Sequence, residues 1–479
     1  MVLAAAAIVL LRADTRVPGP PVAVSAAPRL YVGFLDDQAF RWEPNRLANF
    51  DRARRQGATV VRSIVNWSVA APQKPRNPAE PFAPEYRLSD VDELVRNAER
   101  RGIEVLLTIW GTPAWANGGR RPSVAPTDPS SLRDFAHALA ARYSGRHPGF
   151  PFVRFYTVWN EPNVAQFLSP QFGPDGRPVA PRVYASLVAA AYAGIKSASP
   201  QALVAAGETA ARGRDRPGGR VQDSESPARF ARLVAAAAPD LPFDAWAHHP
   251  YPRNDLAHPD ALQRWPAVGF ASLGRFDAAL ARWFRRPRLP IWVTEFAYRT
   301  SPEIRGAAPY PLQAVYLARA LALARAQPGV TMLVWFVFRD AAGEPWQSGL
   351  VDQRGHAKPA LARFAAAAVP SSRELEVTAD AASLVHAFRV PALELRAHLP
   401  PGARLGVRYT LATCGRRLAG GMTDSRMGAD GWVPVTASFR VLPGATYRLA
   451  LRIEDAHGSQ VRREVAVSAD GAKDACPHP

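Results

Sequence analysis

From residue 30 to about residue 368 the chain alternates short unbroken runs of apolar and β-branched residues with longer stretches in which apolar positions recur every three or four residues. Unbroken runs mark strands buried on both faces, as in a parallel sheet, and the second period is that of amphipathic helices. The runs predict strands over 30–34, 59–64, 103–109, 152–159, 202–206, 243–248, 290–294 and 331–338. The periodic stretches predict helices over 46–56, 90–101, 129–143, 182–197, 227–238, 272–284, 312–326 and 358–368. Local punctuation agrees: Ser89 stands where a helix cap is needed and Gly102 where that helix ends, while Asp128 and Pro129 open another that Gly145 closes. Eight strands, each followed by a helix, read as an α/β fold of the (β/α)8 TIM-barrel type over residues 28–369. A doubly wound open sheet competes, but it wants a glycine-rich phosphate loop after a strand, and neither Gly33-Phe34-Leu35 nor Gly111-Thr112-Pro113 has that form.

Past Val369-Pro370 the period shortens. Alternating segments near 375–378, 384–389, 393–399, 405–410, 432–439, 447–453 and 461–467 are separated by turns such as Pro400-Pro401-Gly402 and Leu442-Pro443-Gly444. They predict a C-terminal all-β sandwich of immunoglobulin or fibronectin type over residues 370–479. Cys414 and Cys476 both lie there. Pairing them in an exported protein would close a loop of about 60 residues and add about 4 kcal/mol in the chain-entropy model; two unpaired thiols are the alternative. At the other end, residues 2–11 are wholly apolar and give way to Arg12 and the stretch Val17-Pro18-Gly19-Pro20-Pro21. That run is too short to span a bilayer and resembles the apolar part of a signal peptide without its basic start. Residues 1–27 are therefore set apart as a leader or anchor with a Pro-rich linker, and a secreted or surface-anchored protein is expected.

Composition changes this picture little. With 48% hydrophobic and 21% charged residues, the 479-residue chain is globular and long enough for two domains. Its net charge is +18, yet only four of the 59 basic residues are lysines, and the arginines are spread through the predicted helices instead of forming one block. Dispersed charge of this kind argues against nucleic-acid binding and leaves association with an anionic glycan or a cell envelope open. A monomer is expected.

In a (β/α)8 barrel the residues at the C-terminal strand ends line the site, so those positions carry the chemistry. Two strands end on a carboxylate: Val158-Trp159-Asn160-Glu161-Pro162 and Val293-Thr294-Glu295-Phe296. The other ends supply Arg62, then Asn66 and Trp67; Trp110 and Trp115; His248-His249-Pro250-Tyr251; Tyr298; and Trp335, followed by Arg339 and Asp340. Paired carboxylates facing each other across a barrel mouth are the equipment of glycoside hydrolysis. Glu208, after the fifth strand, is read as a bystander, and His248 as a core residue. The histidines do not cluster at metal-ligand spacing, no metal or other cofactor is expected, and no Gly-x-Ser-x-Gly elbow supports a serine hydrolase.

This combination resembles the clan A glycoside hydrolases, whose barrels carry an Asn-Glu pair after strand four and a Glu at the end of strand seven. Asn160-Glu161-Pro162 and Thr294-Glu295-Phe296 match that pattern, and His249-Pro250-Tyr251 is similar to the His-x-Tyr of the cellulase-like family five. The stretch from Ser348-Gly349-Leu350-Val351-Asp352 through Gly355 to Lys358-Pro359 also resembles the segment after strand eight in that group. One departure stands out: family five usually carries a His after strand three, where this chain has Trp110-Gly111-Thr112-Pro113-Ala114-Trp115, closer to family thirty-nine.

The resemblance implies a retaining glycosidase acting on a β-linked polysaccharide or oligosaccharide, with Glu161 as general acid/base and Glu295 as nucleophile. Arg62 and Tyr251 would hold Glu295, Asn160 would bind the sugar 2-hydroxyl, His249 would help line the site, and Trp335 would form the floor under the reacting sugar. Glu161, which must carry a proton, is expected in a more apolar setting than Glu295. The rival reading is a glycan-binding or cell-envelope protein on a hydrolase scaffold that no longer turns over.

Overall fold

A computed structural model describes residues 30–367, except 220, 287 and 288, together with seven C-terminal strands. Eight parallel strands close into a barrel: β1 (Tyr31–Leu35), β2 (Val60–Asn66), β3 (Glu104–Trp110), β4 (Phe155–Val158), β5 (Leu203–Ala210), β6 (Ala245–His249), β7 (Ile291–Phe296) and β8 (Val330–Phe336). Their order is β1-β8-β7-β6-β5-β4-β3-β2, each strand beside its neighbours in sequence and β8 beside β1. The helices that follow them in turn are α1 (Arg46–Arg55), α2 (Ser89–Arg100), α3 (Ser130–Arg142), α4 (Ala180–Ala198), α5 (Pro227–Ala237), α6 (Leu273–Trp283), α7 (Tyr310–Ala326) and α8 (Pro359–Ala367). The predicted barrel is therefore the observed one.

Alternation along the strands divides the core into two layers. Val60, Leu106, Phe155, Ala205, Ala247, Trp292 and Val334 belong to a cluster inside the barrel. Their chain neighbours Val61, Leu107, Tyr156, Val204, Trp246, Val293 and Leu333 belong to the larger layer between barrel and helices. Among the described residues the barrel register breaks at the start of β8, between Val330 and Met332, and at two places near the C-terminal strand ends that shape the mouth. Ala206 pairs with Trp246 but Thr209 with His248, and Leu333 pairs with Val293 but Trp335 with Phe296. Each of these two breaks at the mouth inserts one extra residue, a β-bulge, and each is followed by side chains in the opposite phase. The bulges lie at Gly207-Glu208 and Thr294-Glu295, so two carboxylates that regular pleating would place differently belong to the barrel mouth.

His248 illustrates the outer layer. Its ring lies wholly buried between the Thr209 hydroxyl at 2.9 Å and the Val268 carbonyl at 3.0 Å, and burial pushes its pKa down to about 3. The folded value lies below the unfolded one, so the protein is most stable above the unfolded pKa and loses stability as pH falls from about 6.5 towards 3, by about 1.4 kcal/mol per pH unit from this group. Thermal melts between pH 7 and 4 are expected to fall more steeply for the wild type than for His248→Gln; parallel slopes would refute this.

The C-terminal strands are β9 (Val385–Ala387), β10 (Val390–Arg396), β11 (Arg404–Thr413), β12 (Arg416–Arg426), β13 (Trp432–Thr436), β14 (Thr446–Asp455) and β15 (Gln460–Ser468). They pair antiparallel in the orders β9-β10-β13 and β12-β11-β14-β15. Strand β12 was not expected: its Arg416-Arg417 and Gly420-Gly421 lack an apolar alternation. Residues 1–27, the predicted segment 375–378, Cys414 and Cys476 lie outside the described residues.

Candidate active site

Arg62 is the hub of the barrel mouth. It lies two residues after the lumen residue Val60 and is wholly buried. A guanidinium removed from water needs its N–H groups satisfied and its charge matched. Nε donates to Thr108 Oγ1 at 2.8 Å; Nη1 donates to Glu295 Oε1 at 2.6 Å and to the Thr294 carbonyl at 3.2 Å. Nη2 donates to Asn160 Oδ1 and to Glu208 Oε2, both at 2.9 Å. Burial works against this charge, but Glu208 and Glu295 outweigh it and raise the arginine pKa.

Four strand ends converge on that hub. Glu295 accepts a second hydrogen bond, on Oε2, from the Tyr251 hydroxyl at 3.1 Å. Burial and then the neighbouring Glu295 and Glu161 carboxylates hold the Tyr251 pKa well above its ordinary value, so the hydroxyl keeps the proton it donates. Glu161 follows a sharp turn in which Trp159 and Glu161 both have positive φ, 71° and 38°. Backbone of this kind is strained for side-chain-bearing residues and persists only where surroundings enforce it. Here the Glu161 N–H donates to the Glu208 carbonyl at 2.9 Å. Among the described residues the Glu161 carboxylate makes its side-chain hydrogen bond with His249, whose Nδ1 is 3.0 Å from Oε1, and the Arg212 guanidinium also faces it.

The opposite ring nitrogen, Nε2 of His249, is 2.6 Å from Glu208 Oε2. Burial disfavours a charged imidazole, yet Glu295, Glu161 and Glu208 together push its pKa up to about 10. At neutral pH both ring nitrogens are therefore protonated donors. Glu161, His249 and Glu295 bring an oxygen or nitrogen each to within 4.8 Å of one another, which is compact enough for a cation. The donor set does not fit one: a metal needs a ring lone pair, His249 has none to offer while charged, and Arg62 already occupies Glu295 at 2.6 Å.

A family model for cellulase (glycosyl hydrolase family 5) matches residues 34–335, the barrel almost from end to end. The chain belongs to glycosyl hydrolase family 5. Solved structures share its fold. A family 39 glycoside hydrolase from the gut symbiont Bacteroides cellulosilyticus WH2 is 20% identical, with 86% of this chain and 80% of that one covered and a TM-score of 0.52. A glucosidase from Croceicoccus marinus is 14% identical over 89% of this chain and 96% of that one, with a TM-score of 0.51. A subfamily 18 member of family 5 from Streptomyces cattleya, in complex with GlcNAc, is 18% identical over 71% and 80%, with a TM-score of 0.50. No curated protein matches the chain by sequence.

Within this family 5 barrel, Arg62, Asn160, Glu161, His249, Tyr251 and Glu295 come together as the strand ends implied. Two expectations need correction. Trp335 is wholly buried, donates from Nε1 to the Ser348 carbonyl at 2.8 Å, and packs in the outer layer with Phe296. It therefore offers no face to a sugar. The reason is parity: Met332 and Val334 face the lumen, so Leu333 and Trp335 face the helices, and the next lumen-side residue is Phe336. Phe336 meets Trp346 with ring centres 5.5 Å apart, and Trp346 meets Tyr251 at 5.2 Å, so these three rings line the mouth instead. The second correction concerns Glu208, wholly buried between Arg62 and His249 and no bystander. The signal that would have found it is the glycine before it, since a Gly inside a strand marks a bulge.

Glu161 also departs from expectation. Its side chain is 19% exposed against 11% for Glu295, and its neighbour is an imidazolium, so the setting is not the more apolar of the two. The carboxylates differ by hydrogen-bond partner instead: Glu295 accepts from Arg62 and Tyr251, and Glu161 from His249, with the Arg212 guanidinium a further cation facing Glu161. Among the other aromatic residues, Trp67 and Tyr298 are core, and Trp110 and Trp115 donate to the Phe167 and Ala71 carbonyls. Beyond strand eight, Arg339 pairs with Glu43 and Asp340 with Lys358.

Proposed function

We propose that this family 5 glycosidase cleaves a β-linked polysaccharide or oligosaccharide by double displacement with retention of configuration. The observation that carries the reading is spacing. One oxygen of Glu161 lies within 4.8 Å of one oxygen of Glu295, a closeness that suits the roughly 5–5.5 Å carboxyl separation of retaining enzymes. Glu295, bound by Arg62 at 2.6 Å, attacks the anomeric carbon while Glu161 gives its proton to the departing oxygen. Water then enters on the same face, with Glu161 taking its proton and Glu295 leaving. Arg62 holds the Asn160 carbonyl oxygen, and among the described residues the Asn160 Nδ2 has no partner, which suits a donor to the sugar 2-hydroxyl. Phe336, Tyr251 and Trp346 supply the apolar walls.

The same proposal includes export or surface anchoring through residues 1–27, supported by the apolar run at 2–11, and an accessory C-terminal sandwich, supported by the antiparallel pairing of β9 to β15. The charge of +18 favours association with an anionic glycan or envelope. Proton NMR of hydrolysis tests the core of the proposal on β-glucans, mannans, xylans, galactans and bacterial exopolysaccharides. A β-anomer appearing first is expected; an α-anomer first would overturn retention. Saturable binding without turnover of any bound glycan would favour the binding-protein reading.

A further inference from the structure

The reaction above uses two carboxylates, yet the site is built on three. Glu208 is wholly buried, sits on a bulge of β5 and has a positive φ of 48°. A side-chain-bearing residue in left-handed backbone is strained, and such strain concentrates where function needs a particular geometry. The strain here turns the carboxylate inward onto two cations. Oε2 accepts from Arg62 Nη2 at 2.9 Å and meets His249 Nε2 at 2.6 Å. The main-chain carbonyl of the same residue receives the Glu161 N–H at 2.9 Å. One residue thus ties the cation that serves Glu295 to the cation that serves Glu161.

Charge balance says what this tie does. At the start of the reaction Glu295 must be ionised and Glu161 protonated, while Arg62 and His249 are both cations. Without a third carboxylate the pocket would hold two positive charges against one negative, and a buried site relieves such an imbalance by giving up a proton. The donors available are Glu161 and His249, which share a hydrogen bond of 3.0 Å. With Glu208 ionised these four charges balance, which holds the proton on Glu161 against the pull of His249 and of Arg212, the more exposed cation that also faces Glu161. The groups that face His249 are Glu161 from the end of β4, Glu208 from β5, Glu295 from β7 and Tyr251 beyond β6, with Arg62 of β2 reaching it through Glu208. His248 is turned to the outer layer.

We propose that Glu208 is a positioning residue: its negative charge on the far side of His249 offsets the imidazolium, and so keeps the proton on Glu161 until the glycosidic bond breaks. In that step the C1–O bonding pair leaves with the departing oxygen, which takes the Glu161 proton, and a Glu295 oxygen forms the new bond to C1. The Glu161 carboxylate so formed faces the His249 imidazolium, which stabilises it as the base for the second half. This inference rests on the double-displacement reading.

The test is Glu208→Gln, which keeps size and removes charge. On an alkyl β-glycoside, whose departure needs the Glu161 proton, the alkaline limb of kcat/KM is expected to move down by about one pH unit or more, because a lost negative charge favours ionisation of its neighbours. On the matching dinitrophenyl glycoside, which leaves without protonation, the rate is expected to fall less than on the alkyl glycoside and the alkaline limb to stay where it is in the wild type. The double variant Glu208→Gln/His249→Asn removes one charge of each sign and is expected to return the limb towards its wild-type place. Equal losses on both substrates with an unmoved limb would mean that Glu208 only braces the fold, and would overturn the proposal.

A second readout needs no turnover. In protein with 15N-labelled histidine, His249 is expected to keep both ring protons up to about pH 9 in the wild type and to titrate below that in Glu208→Gln; an unchanged His249 overturns the coupling. If no glycoside is hydrolysed, the reaction assignment fails while the NMR titration still decides the role of Glu208. Should Glu208→Gln not fold, Glu208→Asp keeps the charge and is expected to keep the limb while lowering kcat; a limb that moves in this variant refutes the charge argument.

Discussion

Glu295→Gln lowers kcat by about 10⁴-fold or more and leaves a folded protein. Under the proposed double displacement the amide is no nucleophile and no covalent intermediate forms, and losing a group of this kind is worth about 5.5 kcal/mol or more of transition-state stabilisation. The fold survives because the substitution is isosteric and because Arg62, which loses one anion, keeps Glu208 at 2.9 Å and Asn160 at 2.9 Å. The Tyr251 hydroxyl keeps an oxygen or nitrogen to meet at the position of Oε2. Burst kinetics with a dinitrophenyl glycoside make the check specific: the wild type releases a stoichiometric burst where deglycosylation is slow, and the variant releases none. A variant within tenfold of wild type would remove Glu295 from the chemistry and the double displacement with it.

Arg62→Met produces the largest expected loss of stability, about 3–5 kcal/mol, because it strands charges instead of exchanging one neutral contact for another. Glu208 and Glu295 would remain in a buried pocket with His249 as their one cation, and Thr108, Asn160 and the Thr294 carbonyl would each lose a donor. For a barrel of this size the loss is expected to lower the melting temperature by roughly 10 °C. The ordinary escape, proton uptake by a carboxylate, would neutralise the nucleophile, so activity falls together with stability. Arg62→Lys should recover little, since a point charge on a flexible stem cannot reach five acceptors held in a plane. Chemical denaturation of both variants beside the wild type checks this; a loss below about 1 kcal/mol would show that these charges are solvated after all.

How much of this was legible beforehand differs residue by residue. Glu161 and Glu295 stood out because each terminates a β-branched, aromatic run, and an apolar run is a local property that survives without a structure. Arg62 was visible as a charge closing the apolar run of the second strand, which calls for a partner, although the strand itself runs on to Asn66. Trp335 was misplaced because it was judged by its type and its position near a strand end, whereas its direction depends on parity counted from the lumen residue Met332. Glu208 was overlooked because the apolar run 202–206 seemed to end the strand, while the real strand continues to Ala210 across the bulge. Phe336 and Trp346 carry no local mark that distinguishes a wall of the mouth from packing.

The sequence by itself determined the (β/α)8 barrel, the ends at which its chemistry would lie, and the clan that its motifs resemble, because strand and helix periods and strand-end motifs are written in consecutive residues. The tertiary structure alone decided that three carboxylates share two buried cations, that Phe336 takes the place expected of Trp335, and that Glu161 is distinguished by a charged histidine and not by an apolar pocket. The physical reason is that one inserted residue reverses the facing of all those after it, and that an ion pair across a barrel joins groups from strands far apart in the chain, whose meeting only closure of the sheet brings about.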